Sequence, residues 1–291
     1  MSGTVVTTPV FLGYSQDELD RAYDQDAWAA NGTEIQARVF ARSLEVAGQT
    51  PPLTRRYGPG EKQFVDIFAP SGIHDAPVLV MIHGGAWRLA MREAFYGPAP
   101  AVMDAGCILA VVGFQCLPVV TMIQMVAEIR QALVWIGREI GEFGGDGRNL
   151  RLIGHSSGAH LAAVMLTTDW RGLGLEPPSL RGATLISGLF DLHPVALSAR
   201  GRYIDLTGEH LAALSPMRHL GRLAAPACIA WGTEESPEFK RQSQVFASAL
   251  EGMGRLTRSV ALPACNHFEM LEALSDAESP LTRMILADAR S

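Results

Sequence analysis

The run Leu150-Arg151-Leu152-Ile153-Gly154-His155-Ser156-Ser157-Gly158-Ala159-His160-Leu161 decides the fold. Residues 150–153 form a short apolar-rich stretch that suits a strand. Residues 157–166 are rich in Ala, Leu, Val and Met and suit a helix. Between them stands Gly-x-Ser-x-Gly. A turn this tight holds its central residue in a strained backbone conformation. The flanking glycines remove side chains that would collide there, so the Ser156 hydroxyl is pushed out over the sheet edge. The helix N-terminus adds a backbone N–H and a dipole favourable to negative charge. The five-residue pattern alone is weak; the strand before it and the helix after it give it weight.

Working outward, strands and helices alternate. Residues 63–68 have β-character. Residues 77–82 (Pro-Val-Leu-Val-Met-Ile) and 107–114 are nearly continuous apolar runs, as expected of strands buried on both faces of a parallel sheet. Residues 121–143 read as a long helix, with Ile123, Val126, Ile129, Leu133 and Ile136 at helical spacing. The turn Gly144-Gly145-Asp146-Gly147 ends it. Further strands are expected at 182–187, 227–231 and 258–262, a helix at 237–250, and a helical C-terminal segment. The pattern predicts an α/β fold: a mostly parallel central sheet with helices on both faces. Residues 191–226 contain no clear strand and are the natural place for a small helical lid. Upstream, residues 15–45 read as helical, with Ser15 as N-cap and Glu18 as its capping-box partner. A Gly-, Pro- and Thr-rich loop at 48–60 separates this N-terminal arm (1–50) from the main body (51–291).

The chain has 291 residues, 48% hydrophobic and 19% charged, enough apolar material for a sizeable core. Its formal net charge of -6 gives no attraction to nucleic acid or an anionic membrane surface. No apolar run reaches membrane-spanning length. Residues 1–14 lack the basic and apolar regions of a secretory leader. Cys107, Cys116, Cys228 and Cys265 form no CxxC pair and no zinc-like spacing. The expectation is four reduced thiols in a cytoplasmic protein that needs no metal and no organic cofactor.

A second motif, His83-Gly84-Gly85-Ala86-Trp87, follows the strand at 77–82. Acyl transfer passes through a tetrahedral oxyanion, which needs donors already in place. Glycines let backbone N–H groups approach. The expected hole is Ser157 N–H with N–H groups from Gly85 and either Gly84 or Ala86. Alone, the motif reads equally well as an ordinary glycine turn.

Base and acid should follow in the order Ser, acid, His. Of the later histidines, His160 is expected to pack beneath the serine, and His193, His210 and His219 fall in the expected lid. His267 follows the last strand in a loop at a carboxyl strand end, where a base belongs. The strand at 227–231 ends in Gly232-Thr233-Glu234-Glu235-Ser236. Either glutamate there could orient His267, and local sequence separates them only weakly.

These residues, with Asp191 after Ser187-Gly188-Leu189 and with Ser236-Pro237-Glu238-Phe239 and Asn266-His267-Phe268, resemble the kynurenine formamidase (arylformamidase) family of α/β-hydrolases. That family lies close to the hormone-sensitive-lipase-like esterases. The resemblance runs from about Tyr14 to the C-terminus. It puts the acid immediately before the S-P-E-F segment, at Glu235, where Asp is frequent in the family. It sets Phe114 where Tyr is common. It implies a Ser156–His267–Glu235 triad that hydrolyses N-formyl-L-kynurenine to kynurenine and formate in tryptophan catabolism, and it is compatible with a homodimer. Trp87, Tyr14 and Phe268 are candidates for contact with the aromatic part of a small aryl amide or ester. The same machinery would serve a carboxylesterase, or an amidase for longer N-acyl arylamines such as N-acylanthranilates. A non-catalytic binding protein on this fold usually lacks part of the constellation, and here every part is present.

Overall fold

The computed structural model describes residues 9–204 and 206–290; part of the stretch read as leader-free, residues 1–8, lies outside the described residues. Eight strands form one sheet: β1 (Leu53–Arg56), β2 (Phe64–Phe68), β3 (Ala76–Ile82), β4 (Ile108–Val112), β5 (Gly145–His155), β6 (Leu180–Ile186), β7 (Ala227–Gly232) and β8 (Leu256–Leu262). Their order is β1-β2-β4-β3-β5-β6-β7-β8. β2 runs antiparallel to β1 and β4, and every other pair is parallel.

The apolar run of β3 feeds two cores at once. Val78, Val80 and Ile82 join one buried cluster, while Leu79 and Met81 join the other. β4 divides in the same way, with Ile108, Ala110 and Val112 on one face and Leu109 and Val111 on the opposite one. Because successive side chains point to opposite faces, a strand covered on both sides has no solvent face and keeps no polar alternation.

The covering helices are α1 (Gln16–Ala22), α2 (Gly32–Gln49), α3 (Ala99–Asp104), α4 (Met122–Glu139), α5 (Ser157–Leu166), α6 (Leu192–Leu197), α7 (Gly201–Ile204), α8 (Gly208–Ala213), α9 (Pro237–Gly252), α10 (Glu269–Ser275) and α11 (Pro280–Ala289). Residues of α4, α5 and α9 pack into the first cluster. Residues of α2, α3, α10 and α11 pack into the second. All ten residues of α5 are buried, so it is the central helix behind the Gly-x-Ser-x-Gly turn.

Several expectations need correction. The arm is not one helix over 15–45. α1 stops at Ala22, a 3-10 turn spans Asp26–Trp28, and α2 starts at Gly32 and runs to Gln49. Ser15 does cap α1 in a capping box with Glu18. The expected loop at 48–60 holds β1, an edge strand exposed along its whole length that pairs only with β2. The helix at 121–143 becomes 3-10 after Glu139, and Gly144, with φ 85°, terminates it. Gly145 already belongs to β5, which is far longer than residues 150–153. Between β6 and β7 the chain forms α6, α7, α8 and two 3-10 turns. Among the described residues, no helix is long and apolar enough to cross a membrane.

Candidate active site

The candidate nucleophile stands where β5 turns into α5. Ser156 has φ 57° and ψ −124°, a conformation that costs a non-glycine residue of order 1–3 kcal/mol and persists only when its surroundings over-determine it. The surroundings are tight. A Cβ on Gly154 would lie 2.4 Å from the Gly158 carbonyl oxygen, and one on Gly158 would lie 2.1 Å from that of Ile82. Both glycines of the motif are therefore required by contact between β5, β3 and α5.

The loop after β3 also has left-handed backbone, with φ 116° at Gly85, 52° at Ala86 and 61° at Trp87. Three internal bonds set its peptide orientations. His83 Nδ1 donates to the Gly84 carbonyl at 2.7 Å, and the Gly85 carbonyl accepts from Arg88 N at 2.9 Å and Leu89 N at 3.0 Å. In a trans peptide the N–H opposes the C=O. The N–H groups of Gly85 and Ala86 therefore point away from those internal partners. Trp87 N donates to Ser157 Oγ at 3.3 Å and ties the loop to the first turn of α5.

His267 lies in the loop between β8 and α10. It is 4% exposed, and its Nδ1 is 2.9 Å from Glu235 Oε2. Glu235, 1% exposed, is fixed by its other oxygen, which accepts from Ser187 Oγ at 2.6 Å and Gly232 N at 2.7 Å. Its longer side chain bends back over its own turn to reach the imidazole. Glu234 is exposed, and its carboxylate contacts Thr233 beside it. Local sequence did not single out Ser187 as the anchor of Glu235. Its place at the carboxyl end of β6, where sites on open α/β sheets gather, was the available signal.

Three further histidines surround these groups without sharing their role. His160 Nε2 donates to the Leu214 carbonyl at 2.8 Å, and its Nδ1 accepts from Trp87 Nε1 at 3.1 Å. His155 Nε2 donates to the His267 carbonyl at 3.0 Å. His83 lies flat against Phe114, with ring centroids 4.1 Å apart. Burial pushes His83 and His160 down to about 4, and burial followed by the nearby His267 holds His155 well below its ordinary value. All three are neutral scaffolding near pH 7.

Ser156, His267, Gly84, Gly85, Ala86 and Phe268 line one cavity of about 860 Å³. Two candidate aromatic contacts are not on its wall. The Trp87 side chain is 1% exposed and its indole is used by His160. Tyr14 is half-buried in a short β-bridge with Phe11. The arm supplies wall residues from Asp20 to Ala27 together with Gln36, and Ala199, Arg200 and Tyr203 come from the insertion between β6 and β7. None of these was expected individually, because the contacts join segments far apart in sequence. Among the described residues, no group of His, Cys, Asp and Glu could hold a metal ion.

Fold and geometry together define an α/β-hydrolase, an enzyme of the serine-hydrolase type. The chain belongs to the kynurenine formamidase family. The kynurenine formamidase of Danio rerio is 30% identical over 94% of this chain and 96% of its own length. The esterase LipQ of Mycobacterium tuberculosis is 28% identical over 72% of this chain and 55% of its own. A protein of Silicibacter sp. TM1040 superposes with a TM-score of 0.81 at 25% identity, covering 94% of this chain and 99% of that one. The BD-FAE family model matches residues 65–173.

Proposed function

We propose that this enzyme hydrolyses an N-formyl or short N-acyl aryl amide, with N-formyl-L-kynurenine as its substrate, through a Ser156–His267–Glu235 triad. The observation that carries the assignment is the 2.9 Å contact of His267 Nδ1 with Glu235, on a base that shares its cavity with Ser156. Glu235 accepts a hydrogen bond from Nδ1–H, which keeps the proton on Nδ1 and leaves Nε2 unprotonated, the tautomer a general base requires. The name of the Danio rerio relative, at near full-length coverage, supports the substrate.

His267 Nε2 takes the Ser156 proton as Oγ attacks the formyl carbon. The oxyanion is held by the N–H groups of Gly85, Ala86 and Ser157, with Gly84 shaping the approach. A Cβ at Gly84 would lie 2.9 Å from the His155 carbonyl oxygen and 3.4 Å from Ser156 Cβ. The C–N bond then breaks. His267 gives its proton to the departing arylamine, water enters, and the formyl-enzyme releases formate. An arylamine leaves more readily than an alkylamine because the ring shares its lone pair.

A carboxylesterase acting on the same triad is the second reading. It is supported by the match to a protein named as an esterase. A fluorophosphonate probe followed by peptide mass spectrometry tests the nucleophile common to both: the adduct is expected on Ser156, and an adduct elsewhere, or none, would overturn the triad.

A further inference from the structure

Three guanidinium groups line the cavity that holds Ser156 and His267: Arg21, over the Trp28 ring of the arm, Arg88, directly after the loop at 84–87, and Arg200, just before α7. Among the described residues, neither Arg88 nor Arg200 belongs to an ion pair. Both rest on aromatic rings. Arg88 Cζ is 5.0 Å from the centre of the Tyr203 ring, and Arg200 Cζ is 5.7 Å from that of Phe239. Phe239 in turn sets its edge against the His267 imidazole at 4.7 Å, so Arg200 is one ring away from the candidate base. Arg200 Nε donates to the Tyr23 carbonyl at 2.8 Å, which fixes the plane of the fork, while Nη1 is buried without a partner. Tyr203, under Arg88, is three residues from Arg200, so the insertion carries one cation and supports the other.

Arg88 is exposed, whereas Arg200 is partly buried, and a partly buried cation without a counter-charge is costly to keep; a planar guanidinium fork matches a carboxylate at either position. The acidic wall residues do not neutralise these two. Asp20 Oδ1 is occupied by Ala199 N at 2.6 Å and Gln16 Nε2 at 2.8 Å, and Asp24 and Asp26 are exposed.

We propose that Arg88 and Arg200 form a subsite for a carboxylate borne by the leaving-group half of the substrate, away from the bond that is cleaved. The proposal rests on the aryl amide assignment above and adds to it the group that orients the amine half. An α-amino acid head on that half would set its carboxylate at the two arginines and its ammonium towards Asp24 and Asp26.

The test compares two ligands that differ only in charge, 3-benzoylpropionate and 3-benzoylpropionamide. Calorimetry on the full chain carrying Ser156→Ala gives a Kd for each without turnover. The acid is expected to bind at least about tenfold more tightly, as one good charge-assisted pair implies. Adding Arg200→Gln or Arg88→Gln should bring the ratio below about threefold, with Arg200→Lys keeping an intermediate preference. Each variant carries its own ratio, so a loss of folded protein lowers both affinities alike. Equal affinity for acid and amide, or an undiminished ratio in Arg200→Gln, would overturn the subsite. Turnover of N-formylkynurenine is measured separately on the unsubstituted enzyme. Its absence would remove the substrate assignment while the binding ratio still reports on the arginines.

Discussion

Asn31 of the arm and Asn266, the residue before the candidate base, are joined side chain to side chain: Asn266 Nδ2 donates to Asn31 Oδ1 at 2.8 Å. Asn31 Nδ2 also donates to Glu269 Oε1 at 3.0 Å. The acid side is tied in the same manner, since Ser236 Oγ, next to Glu235, donates to the Ala22 carbonyl at 2.6 Å. The arm therefore clasps the loops that present both His267 and Glu235, besides forming cavity wall.

Asn31→Ala should consequently reduce kcat more than it raises KM. A fall of about tenfold in kcat is expected for p-nitrophenyl acetate, with a stability loss of about 1–2 kcal/mol from the broken side-chain bonds. Steady-state kinetics beside urea unfolding check both. An unchanged kcat would mean that the loop of His267 stands without the arm.

Glu235→Gln should lower kcat by about 10²- to 10⁴-fold with little change in KM, because an amide no longer fixes the Nδ1-protonated tautomer. Glu235→Asp keeps the charge but shortens a side chain that bridges Ser187 Oγ, Gly232 N and His267 Nδ1, so it cannot satisfy all three. Its activity is expected between the two. If Glu235→Gln matched the unsubstituted enzyme, the acid would have to be another group.

Trp87→Phe leaves His160 Nδ1 buried without its donor. A stability loss of about 1–3 kcal/mol is expected, with KM for aryl substrates within about twofold of the original value. A large rise in KM would return Trp87 to the substrate-binding surface.

Buried His83 and His160 also set a pH limit. Each has an ordinary value of 6.5 and is held down to about 4 by burial. Protons therefore bind the unfolded chain first as pH falls. Their stabilisation is present in full above about pH 6.5, is lost progressively as pH falls towards 4, and changes no further below that. The loss amounts to about 3 kcal/mol per histidine. His160→Gln retains a donor for Leu214 and an acceptor for Trp87 but does not titrate. Urea unfolding between pH 7 and pH 4 should show a shallower fall for this variant. An identical slope would mean that His160 does not titrate on unfolding.

The parts legible in the sequence share a physical character. β3, β4 and the turn at Ser156 were readable because burial on both faces erases polar alternation, and because glycine contacts leave a local signature. The arginine-rich β1 was not, because an exposed edge strand paired on one side has no apolar pattern. The break at Tyr23–Asn31 was hidden because helical residues flank it on both sides. Glu235 and Glu234 were inseparable locally, since what distinguishes them is the Ser187 hydroxyl 48 residues earlier. Trp87 looked like a substrate contact for the same reason: its partner, His160, lies 73 residues away.

The most direct test of the central claim is kcat/KM for N-formyl-L-kynurenine beside an N-octanoyl arylamide and p-nitrophenyl acetate, with Ser156→Ala as the blank. A preference for N-formylkynurenine over the octanoyl amide of at least about 100-fold, or about 3 kcal/mol of transition-state discrimination, is expected, with no turnover above background in Ser156→Ala. High activity on the ester or the octanoyl amide, with little on N-formylkynurenine, would leave a serine hydrolase in place and contradict the substrate.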